Sequence, residues 1–314
     1  MNLDFFMVAS NLISLFALIA VGYLAVRMKL LNESYSAAFT ALLMKVTLPC
    51  TIFVSLVQRE YNPSFLKDGL IIIAAGIVVF AGLMYLSRYV AILLRVPKNC
   101  RGIWAFPASY TNSGFMGFPI ALALFGGEGL ALAVMLNIAF NLTIYTIGPL
   151  EIARDNPGHI GEKFNIKSII FSNINFATVL SLIFYFGKIQ LPDFVINPLS
   201  YISNITTPLS MLMIGIALAH SKASELFTDI HAWTNSIFAL LIYPAALCLF
   251  LKFFPLSSNP LVGAVLVLVV AMPAASVTAV MCEMYHGNLD FAAKVMFIQN
   301  LFSVITIPLI CMML

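Results

Sequence analysis

The chain has 314 residues, of which 61% are apolar and only 9% charged, with 16 Lys and Arg against 13 Asp and Glu. A soluble domain carries charge on roughly a quarter of its residues, so this chain lacks the polar side chains to clothe a water-facing surface. That excludes a soluble enzyme, a nucleic-acid binder and a disordered chain, and leaves an integral membrane protein.

A spanning helix needs about 20 predominantly apolar residues, and ten such runs can be cut from the chain. They cover 5–26, 36–57, 69–94, 102–125, 129–150, 166–186, 194–219, 232–254, 260–285 and 291–313. The first has no basic start and no small-residue cleavage pattern, so it reads as an uncleaved span rather than a signal peptide. No ten-residue alternating segments of the barrel kind occur, and the expected fold is all-helical. Ten Lys and Arg fall in the odd-numbered loops and four in the even-numbered ones. The positive-inside rule then puts the odd loops in the cytoplasm and both termini outside. The expected location is a cell membrane, crossed many times.

The longest loop lies at the midpoint, where Asn156-Pro157-Gly158 signals a turn. This points to a five-plus-five duplication: 1–151, a short cytoplasmic linker over 152–165, and 166–314. Thr47-Leu48-Pro49 in span two resembles Thr206-Thr207-Pro208 in span seven, 159 residues later. At an offset of 161, Gly126 falls on Gly287, and Asn112 in span four falls on Pro273 in span nine. An odd number of spans per half makes the second half inverted relative to the first.

Spans four and nine should be broken at these matched points. Span four holds Pro107, Asn112, Gly114, Gly117 and Pro119 within thirteen residues; in span nine Pro273 frees the carbonyl of Val269. Discontinuous spans in corresponding positions of inverted halves point to a transporter's binding site. Asn112 suits a helix N-cap, with the amides of Ser113, Gly114 and Phe115 behind it. Pro273 suits a first helical position, with Ala275 and Ser276 as donors nearby. Two positive helix ends meeting in mid-membrane favour an anion, such as a small carboxylate. Neither break contains Lys or Arg.

Three ionisable residues inside or near spans are further candidates for charge support or ion coupling. Lys45 lies in span two, four residues before Pro49; Glu283 lies three turns past Pro273; Lys294 follows Asp290 by one helical turn, the spacing of a local ion pair. Further polar residues within spans include Asn11, Asn137, Asn141, Asn173, Asn175, Gln299 and Asn300. Catalysis is not indicated. The four His lie in loops or at span ends, and no membrane-embedded acidic pair occurs. Cys50, Cys100, Cys248, Cys282 and Cys311 are too scattered for a metal site or a disulfide framework, and no cofactor motif is present.

Thr111 to Pro119, with Leu48-Pro49, Met272-Pro273 and Ile305-Thr306-Ile307-Pro308, resembles the auxin efflux carrier family. The short central loop is similar to that of prokaryotic members. The resemblance implies an elevator-type secondary transporter of organic anions, homodimeric through its scaffold. Spans one, two, six and seven would form that scaffold, and three to five with eight to ten the moving transport unit. It also implies that the substrate carboxylate is held near the crossing by Asn112 and Asn175. Where plant members carry a lysine after the span-nine proline, this chain has Glu283, and Ile174 replaces a proline common in span six. Alternatives are a sodium symporter of the bile-acid-transporter kind, with Thr111, Ser113, Ser276, Thr278 and Gln299 as oxygen ligands, and an anion channel.

Overall fold

The computed structural model describes residues 5–31, 34–58, 62–155, 173–220, 229–275, 277–285 and 287–314. Residues 156–165 of the central linker and Ser276 lie outside the described residues, and so do the side chains of Glu283 and Asn11.

Every regular element among the described residues is helical. In chain order these are α1 (Phe5–Arg27), α2 (Ser34–Leu42), α3 (Leu48–Val57), α4 (Pro63–Leu93), α5 (Arg101–Ser109) and α6 (Phe118–Ala153). The second half holds α7 (Asn173–Phe186), α8 (Asp193–His220), α9 (Ile230–Ile237), α10 (Tyr243–Phe253), α11 (Pro260–Val270), α12 (Val277–Met284) and α13 (Leu289–Cys311). Among the described residues, six helical runs are long and apolar enough to cross a membrane, and three further helical segments are apolar but shorter. Large apolar side chains face outward along them, Val78 and Leu93 on α4 and Phe194 and Tyr201 on α8 among them. In water that surface would be a liability; in a bilayer it is the expected face.

Prolines explain the interruptions. Leu43–Thr47, Ser113–Gly117 and Phe238–Ile242 are single π-helical turns, and each ends two residues before a proline, Pro49, Pro119 and Pro244. Proline offers no amide and its ring crowds the carbonyl four residues back, and a widened turn relieves both problems while keeping the helix axis. The loop expected between the fourth and fifth runs shrinks to one residue. Gly126, at φ 65° and ψ −162°, turns α6 sharply inside an otherwise helical stretch. Only glycine adopts that backbone readily. Side-chain caps among the described residues include Asn62 on α4, Asp229 on α9, Asn259 on α11 and Asn288 on α13.

Packing falls into two groups. α1 lies along α8, and α3 packs on α7 and α8. α4 packs on α5 and α6, α6 on α11, α9 on α13, and α10 on α11. Contacts between the groups are sparser, chiefly α3 with α6. Within the first group the two proline motifs of the halves meet: Thr51 and Thr206 share a hydroxyl hydrogen bond of 2.6 Å, and Thr51 also donates to the carbonyl of Ser203. The second group has an aromatic core in which Tyr110 contacts Phe80, Phe106 and Phe140.

Candidate functional site

The site is built where two helices stop in mid-chain. α5 ends at Ser109, and Tyr110 turns extended, with φ −110° and ψ 103°. Pro107, inside α5, has already weakened the last turn. In the other half α11 ends at Val270 and α12 begins at Val277. The two extended stretches run antiparallel across each other at Thr111 and Ala274. Asn112 N donates to Pro273 O at 2.7 Å, and Ala275 N donates to Tyr110 O at 3.2 Å. A one-step strand pairing thus satisfies backbone groups that neither helix can serve, which apolar surroundings require.

Side chains fix this crossing from three directions. Thr111 Oγ1 donates at 2.6 Å to Val269 O, the carbonyl that loses its amide four residues on to Pro273 and is otherwise met by Met272 N at 3.2 Å. Gln299 of α13, fully buried, accepts from Ala274 N through Oε1 at 2.6 Å. Its Nε2 donates to Asn235 Oδ1 on α9 at 2.7 Å, and Asn235 Nδ2 donates to Trp104 O on α5 at 2.5 Å. Both broken helices are therefore tied to α9 and α13 by one carboxamide chain.

Asn112 acts as the expected cap, its Oδ1 accepting from Phe115 N at 3.0 Å. The amides expected to be open are partly committed. Ser113 N donates to Thr111 O at 2.8 Å, and the amide of Ala275 is the one held by Tyr110. A tight turn within its own segment supplies the acceptor of Ser113, and the crossing supplies that of Ala275. Gly114 differs: a side chain there would meet nothing within 4 Å, so open space adjoins its backbone. Ser113 Oγ donates to Asn137 Oδ1 of α6 at 3.1 Å. One turn further along α6, Asn141 Nδ2 donates to Asn175 Oδ1 of α7 at 3.1 Å.

The structure thus brings Asn112, Ser113, Gly114, Pro273 and Ala275 together, and links Asn175 to them through α6. Lys45 is elsewhere, exposed on the π turn before α3. Lys294 pairs with Asp290 at 2.5 Å, as its spacing predicts. Glu283 lies on α12 near its end. Asn137 and Asn141 stand out in the sequence only as polar residues within spans, Gln299 as that and as a candidate oxygen ligand, and Asn235 not at all. The four-residue spacing of Asn137 and Asn141 was the available signal, since it puts both on one helix face. No group of three or more His, Cys, Asp or Glu among the described residues could hold a metal.

The sequence profile of the membrane transport protein family matches residues 7–174 and 156–311. The chain belongs to the auxin efflux carrier family. An uncharacterized transporter of Methanocaldococcus jannaschii is 26% identical over 298 residues, covering 93% of this chain and 94% of the relative. An uncharacterized transporter of Methanothermobacter thermautotrophicus is 26% identical over 307 residues, 95% and 96% of the two chains. The uncharacterized transporter YfdV of Escherichia coli is 23% identical over 247 residues, 76% of each. This auxin efflux carrier family member is a multi-pass membrane transporter, and its paired unwound segments lie within the matched regions.

Proposed function

We propose that the protein is a secondary carrier of a small organic anion, a carboxylate, bound at the crossing of Tyr110–Gly117 with Ala271–Ala275. The observation that carries this reading is the antiparallel pairing of two helix breaks at Thr111 and Ala274. The residues of both breaks are uncharged, so an anion there is held by neutral donors and the positive end of the following helix. The Nδ2 group of Asn112 and the amide of Gly114 are the proposed contacts, with Ser113 between them holding Asn137 through its hydroxyl. Ala275 and Pro273 shape the crossing, and Ser276 and Asn175 complete the proposed substrate set.

In this reading the chain makes ten spans in two inverted five-span halves, with both termini outside. α1–α3, α7 and α8 form a scaffold, and α4–α6 with α9–α13 the transport unit that slides past it. The two packing groups support that division, and pairing through the scaffold would make the protein a homodimer. Sodium coupling is a second reading, favoured by Thr278, whose fully buried hydroxyl has no hydrogen-bond partner among the described residues. Against it, Gln299 Oε1 already accepts from Ala274 N.

The test is uptake of labelled malonate and malate by protein in liposomes, with no gradient, with a proton gradient and with a sodium gradient. Saturable sodium-independent uptake is expected, and Asn112→Ala is expected to lower it at least tenfold with the protein still folded and inserted. Unchanged uptake by that variant would remove the crossing as the site, and uptake seen only with sodium would select the second reading.

A further inference from the structure

The scaffold carries a groove that none of the residues of the two helix breaks lines. α3 packs on both α7 and α8, and a groove of about 750 Å³ runs beside it between these two helices. Phe53 of α3, Val179 and Leu180 of α7, and Val195 of α8 line its length, and among the described residues no Asp or Glu lines it. At one end stand Lys45 and Asn173.

Lys45 is an unusual residue for that place. It lies eleven residues after Ser34 and twelve before Val57 in one helical run, so by helical rise it is roughly 16 to 18 Å from either end. Its side chain is exposed and has no acidic partner within ion-pair distance among the described residues. The backbone beneath it is fixed. Pro49 denies the Lys45 carbonyl its helical amide, and Asn173 Nδ2 donates to that oxygen instead, at 3.4 Å. The fold therefore holds a cation at bilayer depth beside a hydrocarbon-lined channel, where an unpaired charge is costly.

One ligand chemistry answers both features: an anionic head for Lys45 and a hydrocarbon tail for the walls. A phospholipid places its charge at the membrane surface, near helix ends, and not at the middle of a spanning run. A second copy of this chain seated on the groove would bring the same patch twice, setting lysine against lysine or against apolar walls. We infer that the groove between α3, α7 and α8 binds a long-chain carboxylate, a fatty-acid anion, with its head at Lys45 and its tail along α7. Asn175 of the proposed substrate set also borders the groove, but no residue of either helix break does, and the assignment does not rest on the transport reading.

Binding of radiolabelled laurate to the protein in phosphatidylcholine nanodiscs, corrected with empty discs, tests it. Dodecanol, with the same tail and no charge, is measured alongside. The expected result is saturable binding at one site, with laurate at least tenfold tighter than dodecanol. Lys45→Gln should weaken laurate at least tenfold and abolish the preference, and Leu180→Trp, which fills the groove, should weaken both ligands. Asn112→Ala should bind laurate as the parent does. Equal affinity in Lys45→Gln and parent, the absence of saturable binding, or loss of binding in Asn112→Ala would each overturn the assignment.

Discussion

Gln299 shows how much one side chain contributes at the crossing. Its two ends serve the amide of Ala274 and the carboxamide of Asn235. Leucine has nearly the same shape but neither polar group, so Gln299→Leu leaves both partners buried and unsatisfied. At about 1–3 kcal/mol for each orphaned group, the protein should still insert but melt at a lower temperature in detergent. Carboxylate uptake should fall more than tenfold, because Ala274 is a member of the strand pair. Uptake within twofold of the parent, with unchanged melting, would show that the crossing holds without this tie. Gln299 is also where legibility in the sequence ends at this scale. A buried glutamine in a span announces a polar role, but its partners lie on α9, α5 and the second break, which no local pattern connects. Asn112 and Pro273 were legible because backbone chemistry alone, a cap residue and an imino acid, marks a break.

At the scale of elements, glycine sets the closest helix pair. A side chain on Gly215 of α8 would come within 2.0 Å of the Ile19 carbonyl of α1, and one on Gly22 would come within 2.2 Å of the Leu212 carbonyl. The two backbones touch, as small residues allow in membrane helix pairs. Gly215→Val must push α1 away from α8, an overpacking that costs about 1–3 kcal/mol or more. The expected outcome is a lower melting temperature, whereas Gly82→Val on α4, which meets nothing within 4 Å, leaves melting unchanged. Equal melting of the two variants would place the stabilising contacts of α1 elsewhere. The apolar runs gave the sequence reading most of these elements, because a helix in lipid needs only length and hydropathy. The single-residue turn at Gly126 and the three π turns were not legible: the first replaces a loop by one dihedral, and the second is one way among several of accommodating a proline.

For the whole molecule, the question is whether the two packing groups move relative to each other. Asn141 on α6 and Asn175 on α7 join them by a hydrogen bond at the polar row that begins at Ser113. If the transport unit slides past the scaffold, this bond breaks in every cycle, whereas Gln58, just past α3, meets Ser200 of α8 on the exposed side of the scaffold and stays with it. The pairs Asn141→Cys with Asn175→Cys, and Gln58→Cys with Ser200→Cys, therefore behave differently when bridged by a short bifunctional thiosulfonate. Cys100, Cys248, Cys282 and Cys311 are buried, so replacing Cys50 gives a sufficiently quiet background. Bridging the first pair should stop uptake in liposomes and reduction should restore it, while bridging the second should leave uptake near the unbridged level. Full uptake with the first pair bridged would mean that α6 and α7 stay in contact throughout. The anion would then pass by local opening around the crossing, as in a pore.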